Sequence, residues 1–486
     1  PEVLTPPPSL SPADSLKTIQ VPADLSVELV AAEPLVFDPV SIAWGPDGKL
    51  WVVEMTDYNH LPINDPSPDK PKGRVIYLTD KDNDGTYDTR TVFLEGLNYP
   101  NGVLPWRKGV LITSAPDILY AEDTDNDGKA DKSEVLYTGF NEGNPQLRIN
   151  GLSWGLDGWI YCANGLSHGV VKSTKTGTTL DIRGRDLRIR PDTGELEAAS
   201  GPSQFGRVRD DFGNWFGVDN SRLIIHYVLE DHYLRRNPHV PTPEPFIDLV
   251  TPRNPPCYPR GHKVERLHAP YMANRFTSAC GIGIYRDTWL GESYYGQVFI
   301  CEPVHNLVTR RKLTPDGVTF KADRVAGEEQ SEFLTSTDEW FRPVQVRTGP
   351  DGALYVVDMY RAVIGHPQWV PKDFNKQVNW MEGKDKGRIY RIVKRDAKRR
   401  AVPDFSTKEN LLTAIESPNG TLRDLAQIEV NNRKAEMRKL ESGWLVKKLE
   451  ERVERAAGGI PSSGQTLCVL ADLEGVSTRV IAQRLT

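Results

Sequence analysis

The chain has 486 residues and carries 60 lysines and arginines against 66 aspartates and glutamates, a formal net charge of −6. That balance argues against a nucleic-acid partner, and no apolar run approaches the length of a membrane-spanning helix. Five cysteines, Cys162, Cys257, Cys280, Cys301 and Cys468, show no CxxC spacing, which speaks against thiolate metal sites and haem attachment; a Cys257–Cys280 disulfide and a pair of buried thiols both stay open.

The opening "PEVLTPPPSLSP" is Pro-rich and polar, so residues 1–30 read as an N-terminal extension with a mature or trimmed start, not as a signal peptide. Strand patterns follow. "RVIYLT" runs into "DKDNDGTYD" (80–88), and the same acidic nonapeptide returns as "DTDNDGKAD" (123–131). Carboxylates fall on alternate positions in each copy, a glycine gives the sharp turn, and a further carboxylate closes the loop, which is how oxygen ligands are wrapped around Ca²⁺. The expected ligands are Asp80, Asp82, Asp84 and Asp88 in the first loop, and Asp123, Asp125, Asp127, Asp131 and Glu134 in the second. Glu134 stands at the twelfth position, where the first loop has Thr91, so the second loop should bind better. The flanks alternate like strands, which makes these Ca²⁺-clamped hairpins.

A second repeat is longer. "AWGPDGKLWVVEM" (43–55) returns as "SWGLDGWIYCANG" (153–165), "RDDFGNWFGVDNS" (209–221) and "RTGPDGALYVVDM" (347–359), with weaker copies at 105–117 and 294–303. Each is strand, tight turn, strand. Six such units in a β-rich chain predict an all-β six-bladed β-propeller over 31–393, with a sandwich or a parallel β-helix as the fold alternatives. Residues 394–406 contain the basic run "KRDAKRRAV" and read as a linker. Beyond it, "STKENLLTAIES" begins with a capping box at Ser406 and Glu409 and carries helical spacing, so 407–486 reads as the short α-helical, HEAT-like start of a helical-repeat domain that continues further in the natural protein.

Aligning the repeats on Gly48, Gly109, Gly158, Gly213, Gly296 and Gly352 and reading six residues on gives Glu54, Ala115, Asn164, Asp219, Glu302 and Asp358. Eight residues back, two blades have Asn101 and Asn150. A hairpin brings both positions to one end, so these residues should crowd one mouth of the propeller. Tyr58, His60, His168, Asn220, Arg222, His305, Asn306, Tyr360, Arg361 and His366 follow the strand exits, and Arg207 reaches the mouth from the fourth blade. Carboxylates and amides there suit a divalent cation, histidines a base, and arginines an anionic cofactor or a uronic acid. His226, His232, His239, His262 and His268 fall in connecting segments and read as surface or packing residues.

"ELVAAEPLVFDPVSIAW", the paired acidic hairpins, "RINGLSWGLDGWIYCANG", "SGPSQFGRVRDDFGNWFGVDN", "TSACG", "CEPVHNLVTRR" and "GPDGALYVVDMYRAVIGHP" together resemble the membrane-bound dehydrogenase family of planctomycetes and verrucomicrobia, from about residue 11 onward. The propeller of that family is similar to that of soluble quinoprotein glucose dehydrogenases. The resemblance implies an exported protein, extracellular or periplasmic, with Ca²⁺ and pyrroloquinoline quinone (PQQ) as cofactors. It also implies oxidation of a sugar, an alcohol or a glycan-derived substrate, with electrons passed to a cytochrome c domain or protein. On that reading Arg207 and Arg361 hold the quinone carboxylates, Asn150, Asn164, Glu302 and Asp358 complete the cofactor site, and His305, His366, His168 or Tyr360 serves the proton transfer. The chain departs from the pattern in three places. The catalytic histidine that quinoprotein dehydrogenases place just ahead of the third-blade hairpin aligns with Leu147 in "NPQLRING", no CxxCH occurs, and Gly365 stands where many relatives have an acid. A divalent-metal hydrolase or lyase of the lactonase type is the second reading, and a non-catalytic glycan- or partner-binding propeller the third.

Overall fold

A computed structural model describes residues 6–59, 72–237, 239–241, 244–261, 270–367, 378–434, 437, 444–455, 461–473 and 475. His60, His262 and His268 lie outside these residues. The chain forms six antiparallel sheets arranged as the blades of a propeller. The innermost strands, in chain order, are Pro39–Trp44, Gly102–Trp106, Asn150–Trp154, Arg207–Arg209, Cys280–Ile284 and Pro343–Thr348. Each hairpins into a second strand whose apolar residues are buried on both faces, such as Leu50–Glu54 and Leu354–Asp358, because each blade is packed between two others. Gly48 and Gly352 take φ 78° and 91° in the connecting turns, a region open to glycine and costly for other residues. Near the axis the strands approach closely: a Cβ on Gly151 would sit 2.5 Å from Gly206 Cα, and one on Gly281 2.2 Å from the Val344 carbonyl oxygen.

The last blade takes its outer strand from the other end of the chain. Leu25–Ala32 pairs with Arg388–Lys394, so most of this strand lies in the stretch expected to be an extension, yet it closes the ring. Ile19–Gln20 likewise adds to Leu334–Ser336 of blade five. Ahead of these, the Pro7 carbonyl accepts from Trp340 Nε1 at 2.7 Å and the Leu10 N–H donates to Tyr360 Oη at 2.8 Å, tying the N-terminal segment to one end of the propeller.

Among the described residues, four helices with printed bounds follow the linker, Lys408–Ile415, Gly420–Asn432, Trp444–Arg455 and Pro461–Asp472. The first is capped by Thr407, whose side chain accepts from the Asn410 N–H, one residue later than the expected Ser406. The apolar faces of these helices continue a core shared with blades one and six, including Trp44, Tyr355, Leu411, Ile415, Leu422 and Leu449. Gly420–Asn432 lies across the turn side of the propeller. It meets blade five where the Gly420 N–H donates to the Arg286 carbonyl at 2.6 Å, blade six where Thr421 Oγ1 donates to the Thr348 carbonyl at 2.7 Å, and blade three where Gln427 Nε2 donates to the Leu156 carbonyl at 3.3 Å.

Candidate functional site

A cavity of about 990 Å³ runs along the propeller axis, bounded by residues in or just ahead of the inner strands of the blades, among them Val40, Asn101, Asn150, Gly206, Ile282 and Gln345. Its mouth is formed by the segments that follow the second strands. Four arginines line it, Arg148, Arg207, Arg342 and Arg347, against a single carboxylate, Glu339, together with one histidine, His366. Phe205, Tyr271, Met359 and Trp380 supply apolar and aromatic wall.

The axial ring of acids and amides expected from the repeats comes to one end of the propeller, but its side chains are buried and do not line the cavity. The geometry shows why they recur. Glu54 accepts from the Phe37 N–H at 3.0 Å, Glu302 from the Thr277 and Ser278 N–H groups at 3.1 and 3.0 Å, and Asp358 from the Arg342 N–H at 2.7 Å. In each case the acceptor is at the exit of the second strand and the donor lies just before the first strand of the same blade. Entering backbone has no ladder partner at that point, and a buried N–H without one is costly, so the acid satisfies it. Asn164 does the converse, donating through Nδ2 to the carbonyls of Ile182 and Arg185 at 3.1 and 2.6 Å. Asp219 accepts from the Ser221 and Arg222 N–H groups, both at 2.8 Å. The expectation that Asn164, Glu302 and Asp358 face a ligand is therefore corrected. Burial lifts the Asp358 carboxyl to about 7, against the pull of the Arg342 N–H and of Arg388.

The two arginines expected to clamp a cofactor are also engaged inside the protein. Arg361 is fully buried and forms a two-pronged pair with Asp38, Nε to Oδ1 at 2.5 Å and Nη2 to Oδ2 at 2.7 Å. Arg207 pairs with Asp186 at 3.1 Å, donates to the Ser200 carbonyl at 2.8 Å and lies among the rings of Tyr161, Trp215 and Tyr227. Of the expected proton acceptors, His305 is buried away from the cavity with Nδ1 3.2 Å from Glu302, and Tyr360 donates to Asp338 at 2.9 Å beneath the N-terminal segment. His168 is exposed on a loop beside Asn141 and is not part of the cavity wall. His366 does line it, and burial holds its imidazole below its usual pKa, so it is neutral near pH 7. Asn150 also lines it, with its amide bridging the Arg148 and Gln204 carbonyls and the Gly206 N–H. His226 stacks on Phe216, whereas His232 and His239 sit in an exposed stretch of blade four.

The cavity residues that were not anticipated include three polar ones able to meet a ligand, Gln146, Arg342 and Arg347. Gln146, next to Leu147, donates through Nε2 to Tyr58 Oη at 2.7 Å, which gives the cavity wall an amide–phenol pair. Arg342 donates to the carbonyls of Arg361, Pro303 and Ala362 at 3.0, 2.9 and 2.8 Å, which places at the cavity wall a cation with no carboxylate partner among the described residues. Burial lowers its pKa to about 10, which leaves it charged. Arg347 lines the deep end, and its guanidinium makes no hydrogen bond or ion pair among the described residues. In the sequence it is hidden by Arg209, which also starts a repeat; only the strand register shows that Arg347 stands where other blades have Ala43, Ser153 and Val208.

Both acidic loops are outer hairpin turns. They bring together one ligand oxygen each from Asp80, Asp82 and Asp88, and from Asp123, Asp125 and Asp131, within 4.8 Å. Asp84 and Asp127 instead accept from the N–H two residues on, at 2.6 and 2.8 Å. Glu134 lies in a strand opposite Tyr120 and is outside the second cluster, which corrects its assignment as a ligand. The first loop also reaches blade six and the linker, through Arg391 Nη1 on the Gly85 carbonyl at 3.1 Å and Arg399 on Asp80 at 3.1 Å. The five cysteines are free thiols.

Fold and cavity define a six-bladed propeller with a cation-rich axial pocket. The chain belongs to the family described as domain of unknown function DUF7133, whose model matches residues 11–396. No curated protein matches at a significant level. Solved structures similar to it include a glucose dehydrogenase-type oxidoreductase of Thermus thermophilus (17% identity, TM-score 0.44, 76% of this chain and 100% of that one). The soluble aldose sugar dehydrogenase of Escherichia coli is similar at 13% identity (TM-score 0.39, 76% and 100%), and the PQQ domain of Coprinopsis cinerea pyranose dehydrogenase at 12% (TM-score 0.43, 80% and 98%). At these values the likeness says nothing about the chemistry of this cavity.

Proposed function

We propose that the protein is an exported oxidoreductase of the quinoprotein type, which binds an anionic, planar quinone of the PQQ class in the axial cavity and oxidises a sugar or alcohol hydroxyl there. The observation that carries this reading is the imbalance of charge in the cavity wall: Arg148, Arg342 and Arg347, which have no carboxylate partner among the described residues, stand against one carboxylate, Glu339, while Arg207 is matched by Asp186 behind the wall. Such a wall recruits an anion, and its aromatic and thioether side chains suit a flat ring. The residues present fit the group, though not those first expected: Arg342, and not Arg361, has donors to spare for a carboxylate. The metal-hydrolase reading is weaker, because among the described residues the only clusters able to hold a cation are the two outer loops.

A quinone of this class, when bound, accepts the hydride removed from the substrate carbon. His366, neutral and at the wall, takes the hydroxyl proton. Arg342 is fixed by its three carbonyl acceptors and orients the anion without needing to reorganise. The two acidic loops hold Ca²⁺ and brace the blades, and a cytochrome c receives the electrons.

The test is equilibrium dialysis of the Ca²⁺-loaded protein with PQQ, followed by dye reduction with a panel of aldoses and alcohols. Retained quinone and turnover are expected in the wild type. Arg342→Gln should retain roughly tenfold less quinone or worse, and His366→Asn should keep the quinone and lose turnover by about a hundredfold or more. A wild-type protein that retains no quinone sinks the reading, and lactone cleavage or glycan binding without chemistry would then replace it.

A further inference from the structure

At the deep end of the cavity, Arg347 pairs in register with Tyr355. The residues at the same register in other blades are Ala43, Ser153, Val208 and Gly283, opposite Trp51, Tyr161, Phe216 and Phe299. None carries a charge, so Arg347 brings the only one to that level of these inner strands. Just below it lies a cluster held by the helix Gly420–Asn432. Asp424 pairs with Arg209 and Arg286, each at 2.5 Å, and Asp211 pairs with Arg286 at 2.6 Å and Arg423 at 2.5 Å. Arg209, Arg286 and Arg423 thus share two carboxylates, and Arg347 adds a cation with neither hydrogen bond nor ion pair among the described residues. The cluster is left with an excess of positive charge facing a cavity.

A half-buried guanidinium without a counter-charge is unfavourable by itself. Asp424, the acid whose charge acts on Arg347, already serves two other arginines. Val208, Gly281 and Ile282 line the wall in the neighbouring blades and offer no side-chain donor, so there is one fork of N–H groups and little else to satisfy an anion. That suits a carboxylate, which is monoanionic and matches the guanidinium in-plane, better than phosphate or sulfate.

We propose that the floor of the axial cavity is a carboxylate-recognition subsite, in which Arg347 pairs with the acid group of a small molecule of the sugar-acid class. The subsite is distinct from the mouth groups Arg342 and His366, and its test involves neither quinone nor turnover, so it stands or falls separately from the oxidoreductase reading.

The experiment is calorimetric titration of the full chain with glucuronate and gluconate, with glucose as the neutral arm and sulfate as the inorganic arm. Wild type should bind the two acids and not glucose, and Arg347→Gln should weaken that binding roughly ten- to a hundredfold. Arg347→Lys, which keeps the charge without the fork, should weaken it less. Without ligand, Arg347→Gln should melt at the wild-type temperature or above it, since it removes an unpaired charge. Sulfate binding as tightly as glucuronate, acids binding no better than glucose, an unchanged affinity in Arg347→Gln, or a ligand-free Arg347→Gln that melts several degrees lower would each overturn the assignment.

Discussion

Replacing Arg361 by methionine separates a structural role from a ligand-binding one. The Asp38–Arg361 pair has no exposed side-chain surface and is bonded through both oxygens, at 2.5 and 2.7 Å. Removing one member of such a pair leaves a buried charge behind and typically costs about 3–5 kcal/mol. Asp38 is already pushed up to about 7 by burial, even with Arg361 lowering it. Without the arginine it will take up a proton near neutrality, which places the loss toward the lower end of that range. Arg361 also donates to the Tyr58 and Trp380 carbonyls at 3.5 and 3.3 Å, so segments at the mouth loosen with it. Urea unfolding followed by tryptophan fluorescence should show Arg361→Met destabilised by about 3 kcal/mol, and the Asp38→Asn/Arg361→Met double variant recovering a third or more of that loss. An unfolding midpoint that does not move, in a variant that no longer binds any cavity ligand, would refute the reasoning and return Arg361 to the cofactor.

Two further outcomes follow from other groups. Chelation with EDTA should lower the melting temperature, because Ca²⁺ at a hundred times its Kd stabilises the folded state by about 2.7 kcal/mol per site; Asp125→Ala should remove part of the effect, and a melting curve indifferent to EDTA and to added Ca²⁺ counts against both loops as Ca²⁺ sites. Asp358, raised by burial to about 7, holds a proton in the folded chain between about 4 and 7 that the unfolded chain has released, so its contribution makes stability fall as pH rises through that window. Asp358→Asn should therefore be more stable than wild type at pH 8 and indistinguishable from it near pH 4, and a gap that does not change with pH would show that the carboxyl does not titrate there.

The ring of blades was legible because a propeller repeats its local chemistry. "GPDG" and "GLDG" each specify a turn with a left-handed glycine, and five of the six blade turns carry one, at Gly48, Gly158, Gly213, Gly296 and Gly352, which leaves little choice of architecture. What joins distant parts of the chain was not legible. Leu25–Ala32 closes blade six against Arg388–Lys394, and nothing in "LSVELVAA" names that partner. Asp424 sits on Arg209 and Arg286 across more than a hundred residues, so the helical segment's place on the turn side could not be read from its amphipathic pattern. The caps shifted by one residue, from Ser406 to Thr407, because adjacent hydroxyls offer the same cap.

The candidate site was misread for a physical reason that applies to repeats in general. A polar residue found at one position of most blades answers a need that every blade has. Here the need is a partner for backbone N–H groups that enter the sheet before its ladder begins, met by Glu54, Glu302 and Asp358. A ligand sits on the axis once, not six times, and breaks the symmetry. Its contacts should then be sought among residues that depart from the repeat. Arg347 stands where other blades have alanine, serine, valine and glycine. Gln146 and His366 belong to connecting segments, and Arg342 stands just ahead of the last inner strand with no carboxylate partner among the described residues. These departures line the cavity, whereas the regular acids hold its wall together from behind.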